Sequence, residues 1–293
     1  MERLLRATAR AEAQHFWFRG FRYFVTPLLR QATAGVARPR LLDCGCGTGN
    51  NLELLSTFGR AYGFDLAAVG LELGRAAGRT RVARATVAAI PFPGNTFDVV
   101  TSFDVLYSLE EPIELAAIGE MYRVTRPGGH ILINVAAMES LRGDHSALSR
   151  EVRRYSRRSL ARLVEHTGFS IVRITYTNAI LFLPMAISRR IQRWRGLAAE
   201  EDAVREITVP SPPVNLVLAA ALRLESLWVR LLDNPFGSSV LCLARKPASP
   251  GTRTASAPAF GDPPNATAFR PVRTTRCSRS RPRSHLCPAH QPG

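Results

Sequence analysis

Residues 40–55, RLLDCGCGTGNNLELL, place three glycines and two cysteines in the seven positions 43–49, directly after an apolar run and directly before a helical one. Glycine tolerates positive φ and lets another group approach the backbone closely. The pattern therefore predicts a strand, a tight loop and a helix in succession. In an open parallel sheet such a loop stands beyond the carboxyl end of its strand, where ligands bind at the reversal of strand order. The free N–H groups at the start of the next helix favour an anion there, a carboxylate or a phosphate.

The chain around the loop supports that architecture. Strand candidates RLLDC (40–44), AYGFD (61–65), RVARA (81–85), FDVVTSF (97–103) and GHILINV (129–135) are separated by segments such as NNLELLSTF and EPIELAAIGEMYRVT. The latter carries Pro112 near its first turn and stops before RPGG, a suitable start and stop for a helix. Five strands separated by helices imply a doubly wound α/β sheet with right-handed crossovers. Two further strands, FSIVRITYT (169–177) and SVLCLAR (239–245), bring the expected sheet to seven, mostly parallel, with a helical insertion over 178–238. Residues 1–34 read as a helical segment holding the aromatic cluster HFWFRGFRYF, and 35–247 as the main domain. Residues 248–293, rich in Pro, Ser, Thr and Arg without periodicity, read as a disordered tail.

Composition narrows the setting. A chain of 293 residues, 46% hydrophobic, can bury a substantial core. No uninterrupted apolar run reaches the ~18 residues of a membrane span. The N-terminus is charged and lacks an apolar signal core, and the five cysteines follow no regular spacing. A reducing, cytoplasmic location is the expectation. The net charge of +16 is carried almost wholly by arginine, Lys246 being the only lysine. No lysine-rich or aromatic-interleaved patch stands out, so nucleic acid is an unlikely partner.

The loop itself admits two chemistries. Cys44 and Cys46 supply at most two metal ligands, and no other Cys or His cluster lies near in sequence to complete four, so no metal is expected. Small residues filling tight space is the alternative role for both. Gly45, Gly47 and Gly49 run as Gly-x-Gly-x-Gly, not the Gly-x-Gly-x-x-Gly of a dinucleotide fingerprint.

With Asp43 ahead of it, LLDCGCGTG resembles the first motif of the class I S-adenosylmethionine-dependent methyltransferases of small-molecule type, and the resemblance runs from about residue 12 to 247. YGFDLAAVGL is similar to the second motif, AAIPFPGNTFDVVTSFDVLYSL to the stretch from the adenine pocket into strand four, and EMYRVTRPGGHILINV to the helix, turn and fifth strand. The resemblance implies S-adenosylmethionine as cofactor. Its methionine part would lie on Asp43, Gly45, Cys46, Gly47 and Gly49, its ribose on Asp65 beside Leu66, and its adenine near Thr86, Val87 and Phe103. A carboxylate such as Asp65 can accept two hydroxyl hydrogens at once; capping the next helix is its alternative role. Fixing the loop is the alternative role of Asp43. Thr86 stands where the family commonly has an acid, so a neutral hydroxyl would replace a charged acceptor.

On the acceptor side the family fixes no catalytic residue, because the cofactor is already activated and the protein mainly aligns the nucleophile. His145 and Tyr107 are the candidate catalytic groups. The segment GDHSALSREVRRYS around His145 and Tyr155 resembles one bacterial subgroup, with Ser146 and Glu151 where a further Asp and His commonly stand. The N-terminal aromatic helix corresponds to the family's lid. AILFLPMAISRRIQRW and PVNLVLAAALRLESLWVRLL would roof the site, or form a greasy tunnel or a membrane-interface contact for a lipid-like acceptor, with arginines suited to anionic headgroups. The reading is methyl transfer to a small-molecule or lipid-like acceptor. The alternatives are an RNA methyltransferase, disfavoured by the lack of an Asn-Pro-Pro-Tyr type motif, and a cofactor-binding pseudoenzyme or interaction protein.

Overall fold

The computed structural model describes residues 2–142, 151–195 and 209–248. Among these residues seven strands form one sheet: β1 (Arg40–Cys44), β2 (Arg60–Asp65), β3 (Val82–Arg84), β4 (Phe97–Phe103), β5 (Thr125–Ala136), β6 (Ser170–Thr177) and β7 (Ser239–Arg245). Their order is β3-β2-β1-β4-β5-β7-β6. The first five pair in parallel, and β7 runs antiparallel between β5 and β6. Eight α-helices accompany them: α1 (Glu2–Ala11), α2 (Phe16–Ala32), α3 (Asn50–Ser56), α4 (Ala68–Ala76), α5 (Glu111–Val124), α6 (Arg157–His166), α7 (Phe182–Arg195) and α8 (Pro212–Val229).

Side chains alternate across the sheet, and the central strands are apolar on both faces because helices cover both. Leu41, Val99, Leu132 and Leu241 pack with Val25 and Leu29 of α2, Leu55 of α3 and Leu222 of α8. Their neighbours Leu42, Val100, Ile131 and Cys242 pack on the opposite face with Ile118 and Met121 of α5 and Leu160 of α6. This double burial is why β7 holds the unbroken apolar run Val240–Ala244 and β4 the pair Val99 and Val100; both strands occupy the expected residues.

Two local expectations are corrected. No helix forms between β3 and β4: residues 85–96 are turns and bends, because Pro91 and Pro93 withdraw two backbone donors and restrict the residues before them. β5 begins at Thr125 rather than 129, since Phe97 pairs with Thr125 before an irregularity shifts the register to Val99 opposite His130. The expected tail beyond 248, and part of the insertion over 196–208, lie outside the described residues.

Candidate active site

β1 lies between β2 and β4, so the strand order reverses between β1 and β4. The glycine loop leaves the carboxyl end of β1, and residues 104–109 leave that of β4, into the same crevice. There a cavity of about 1050 Å³ opens. Sites for one small ligand span roughly 300–1,000 Å³, so this one has room for two molecules side by side.

One end of the cavity is a backbone cradle. Gly45 has φ +77°, and a Cβ there would stand 2.4 Å from Val105 Cγ2. Gly47, at φ +55°, donates its N–H to Asp65 Oδ2 at 2.8 Å. Asp65 Oδ1 accepts from Ala67 N at 2.8 Å. Each oxygen keeps a lone pair, so the carboxylate both fixes the loop and remains able to accept hydroxyl hydrogens.

The N-terminal helices close over this cradle. Glu12, buried just beyond α1, accepts from the Thr48 hydroxyl at 2.6 Å and from Arg79 Nη1 at 3.1 Å. Arg79 also reaches the Thr48 carbonyl at 3.0 Å and Glu53 at 2.8 Å. At the start of α2, His15 caps the helix by accepting the Trp17 N–H, and burial lowers its pKa, keeping it neutral. Asn215 of α8 holds that turn from above, accepting the Phe16 N–H at 2.7 Å and donating to the Gln14 carbonyl at 2.8 Å.

Of the residues expected at the cofactor, Gly45, Cys46, Gly47, Asp65, Leu66, Thr86, Val87 and Phe103 line the cavity, as does Tyr107. Asp43 and Gly49 are not among the lining residues. Asp43 is buried beneath the loop, where Thr101 Oγ1 donates to its Oδ1 at 2.7 Å, its Oδ2 is unpartnered, and burial pushes its pKa up to about 7. Gly49 takes φ +76° at the start of α3. Thr86 Oγ1 accepts the Ala88 N–H at 3.3 Å. Cys44 and Cys46 pack into opposite core clusters, and burial raises both thiols. His145 and Ser146 lie outside the described residues.

Beside the cradle, next to the Val105 that Gly45 abuts, the cavity carries a group that sequence reasoning missed. Asp104, with φ +60°, lines the cavity as an exposed residue, its carboxyl held by Asn134. Desolvation by the protein atoms around the carboxyl pushes it up to about 7 although the residue itself is exposed to the cavity; the Asn134 hydrogen bond and the charge of Arg154 oppose the shift and the charge of Glu151 assists it. Glu151 is held bidentate by Arg154 at 2.9 and 3.0 Å, and Arg154 anchors to the Ala137 carbonyl at 3.0 Å. Tyr107 offers its carbonyl to Val152 N at 2.8 Å, tying this segment to the end of β4. Tyr155, by contrast, donates to Glu114, which also takes Arg153 at 2.7 Å. A left-handed φ at a non-glycine residue after a strand is the local signal for Asp104; FDVLYS alone does not carry it.

An α/β sheet with a glycine cradle after β1, a carboxylate at the end of β2 and a cavity reaching beyond β4 is the arrangement of a cofactor-dependent group-transfer enzyme. A family model described as a methyltransferase domain matches residues 12–174, and the chain belongs to that family. It is an S-adenosylmethionine-dependent methyltransferase. An uncharacterized protein of Methanocaldococcus jannaschii is 28% identical over 163 residues, covering 53% of this chain and 68% of that protein. The demethylmenaquinone methyltransferase of Renibacterium salmoninarum is 33% identical over 112 residues, 36% of this chain and 45% of that enzyme. The match therefore spans less than half of that relative's length. A solved S-adenosylmethionine-dependent methyltransferase from Thermotoga maritima shares the fold at a TM-score of 0.52 and 16% identity, covering 84% of this chain and all of that one.

The residues present fit the cofactor. A side chain at Gly45 would meet Val105, and Asp65, with a lone pair left on each oxygen, lines the cavity together with Thr86 and Val87.

Proposed function

We propose that this enzyme methylates an apolar, lipid-like acceptor whose reacting atom carries an ionisable hydrogen, with Asp104 as the general base. The carrying observation is the cavity's continuity. It runs from the glycine cradle past Asp104 to an apolar wall supplied by Leu181, Met185 and Leu218 under α7 and α8. S-adenosylmethionine, held at the cradle, supplies a methyl group already activated on sulfonium sulfur.

What the chain itself contributes is alignment, dryness and proton handling. The aromatic start of α2 and the roof helices exclude water. Asp104 Oδ1 accepts from Asn134, leaving Oδ2 to receive the acceptor's proton. A carboxyl near 7 is matched to a base working at neutral pH. Glu151 is paired with Arg154, Glu12 with Arg79, and Asp65 holds the loop, which leaves Asp104 as the carboxyl at this cavity chosen for the base. The relatives named as demethylmenaquinone methyltransferases act, by that name, on demethylmenaquinone, which makes it a natural first acceptor to try.

The test is incubation of the full chain with methyl-labelled S-adenosylmethionine and, separately, a lipid extract, demethylmenaquinone and a water-soluble metabolite extract. Label in a lipid-phase product that disappears with Asp104→Asn supports the reading. Label confined to water-soluble products overturns it.

A further inference from the structure

The geometry points to the outer faces of α7 and α8 as a docking surface for an anionic lipid bilayer. α8 is patterned inside out. Its buried face carries Asn215, Glu225 and Ser226 beside Ala219, Leu222 and Val229. Its exposed face carries Val217, Leu224, Leu227 and Trp228, and Leu231 continues the stripe at 85% exposure. Positions 217, 224, 227, 228 and 231 fall on one side of a 3.6-residue helix. The polar residues inside are used: Asn215 clamps the turn at residues 14–16, and Glu225 accepts from Ala179 N at 2.8 Å, Ile180 N at 3.0 Å and Asn234 at 2.9 Å. On the outer face Trp228 joins this network through its indole N–H, which donates to Asn234 at 2.9 Å, whereas Val217, Leu224, Leu227 and Leu231 have no polar group to satisfy.

α7 repeats the pattern. Leu183, Ile187, Ile191 and Trp194 recur at helical spacing and are exposed, Trp194 by 86%. Exposed apolar stripes of this kind mark an interaction face. Charge selects the partner. Arg190, Arg223 and Arg230 are exposed beside these stripes, Arg223 over the Tyr23 ring. Among the described residues of the two helices the one acid is Glu225, fully buried. A second copy would bring arginines against arginines with no acid to pair them, whereas anionic headgroups complement them. No described helix is long and apolar enough to cross a membrane, so the helices lie on the surface rather than through it.

Docking and catalysis meet on the same elements. The inner sides of α7 and α8 supply Pro184, Met185, Ser188 and Leu218 to the cavity wall, so a bilayer on their outer sides would stand next to the apolar compartment. The docking itself stands independently of the acceptor proposed above.

The experiment is co-sedimentation of the full chain with phosphatidylglycerol–phosphatidylcholine vesicles and with phosphatidylcholine alone, with Trp fluorescence as a second readout. Expected are binding to the anionic vesicles that weakens with salt, and a blue shift of emission. Leu224→Asp with Leu231→Asp should weaken binding more than tenfold, and each of Arg190→Gln and Arg230→Gln about fivefold. All four side chains are exposed and none lines the cavity, so the variants should unfold at the wild-type temperature. Vesicle binding unchanged in the double Asp variant would overturn the proposal. So would a stable dimer in sedimentation that the same variant dissociates, with no vesicle binding by the wild type. Neither readout involves methyl transfer, so failure here and failure of the proposed reaction are separable.

Discussion

Asn134 on β5 grips Asp104 twice: its side-chain amide donates to Oδ1 at 3.0 Å, and its backbone carbonyl accepts the Asp104 N–H at 2.9 Å. The pairing fixes a carboxyl at the cavity wall in a left-handed backbone conformation. It follows from the β4–β5 register, which sets Phe103 opposite Asn134, and it decides where a proton can go.

Asp104→Asn should lower kcat by about 10²–10⁴-fold, the usual share of a general base, with S-adenosylmethionine affinity little changed. The wild-type carboxyl titrates at about 7 and acts as a base only when ionised. Activity should therefore rise as pH passes upward through about 7, and that limb should vanish in the variant. A pH–rate profile of kcat checks this; an unaltered profile would remove Asp104 from the chemistry.

Asp43 yields a stability prediction of definite sign. Its ordinary value is 3.8 and its folded value about 7, because burial penalises the charge. The folded state thus keeps its proton between about pH 4 and pH 7. The associated stability is fully present below that window and is lost as pH rises through it. Asp43→Asn keeps the acceptor for Thr101 and has no such loss. Relative to wild type it should gain up to about 4 kcal/mol between pH 4 and pH 8. Denaturant titrations at the two pH values read this directly, and parallel behaviour of the two proteins would refute it.

Arg79 is expected to hold the N-terminal helices over the cradle. Arg79→Ala leaves Glu12 buried with the Thr48 hydroxyl alone, at a cost of about 1–3 kcal/mol. Hydrogen exchange of residues 5–12 should quicken and S-adenosylmethionine should dissociate faster. Unchanged exchange in α1 would show that the helix is held by other contacts.

The sheet was legible where burial leaves a mark on sequence. β1, β4 and β7 carry adjacent apolar residues (Leu41 and Leu42, Val99 and Val100, Val240–Ala244) because helices cover both faces, and the glycine loop announces itself through backbone conformations only glycine adopts readily. Long-range relationships left no such mark. Glu12 and Arg79 are 67 residues apart, and the importance of Asp104 comes from a strand that follows it by 30 residues. The same holds for Asp43: DCGCGTG has an acid ahead of its glycines, but only the fold shows that the acid points to Thr101 beneath the loop. The apolar spacing of α8 marked a helix but left open which side meets the core: its buried side carries Asn215 and Glu225, which bond neighbouring backbone, beside Ala219, Leu222 and Val229.

The most direct test is calorimetric titration of the full chain with S-adenosylmethionine, repeated on Asp65→Ala. Wild-type binding with a Kd on the order of micromolar is expected. The variant should bind about thirtyfold more weakly, the loss of roughly 2 kcal/mol of charge-assisted hydrogen bonding. No detectable heat with the wild type, or equal affinity in the two proteins, would contradict the placement of the cofactor between the glycine loop and β2.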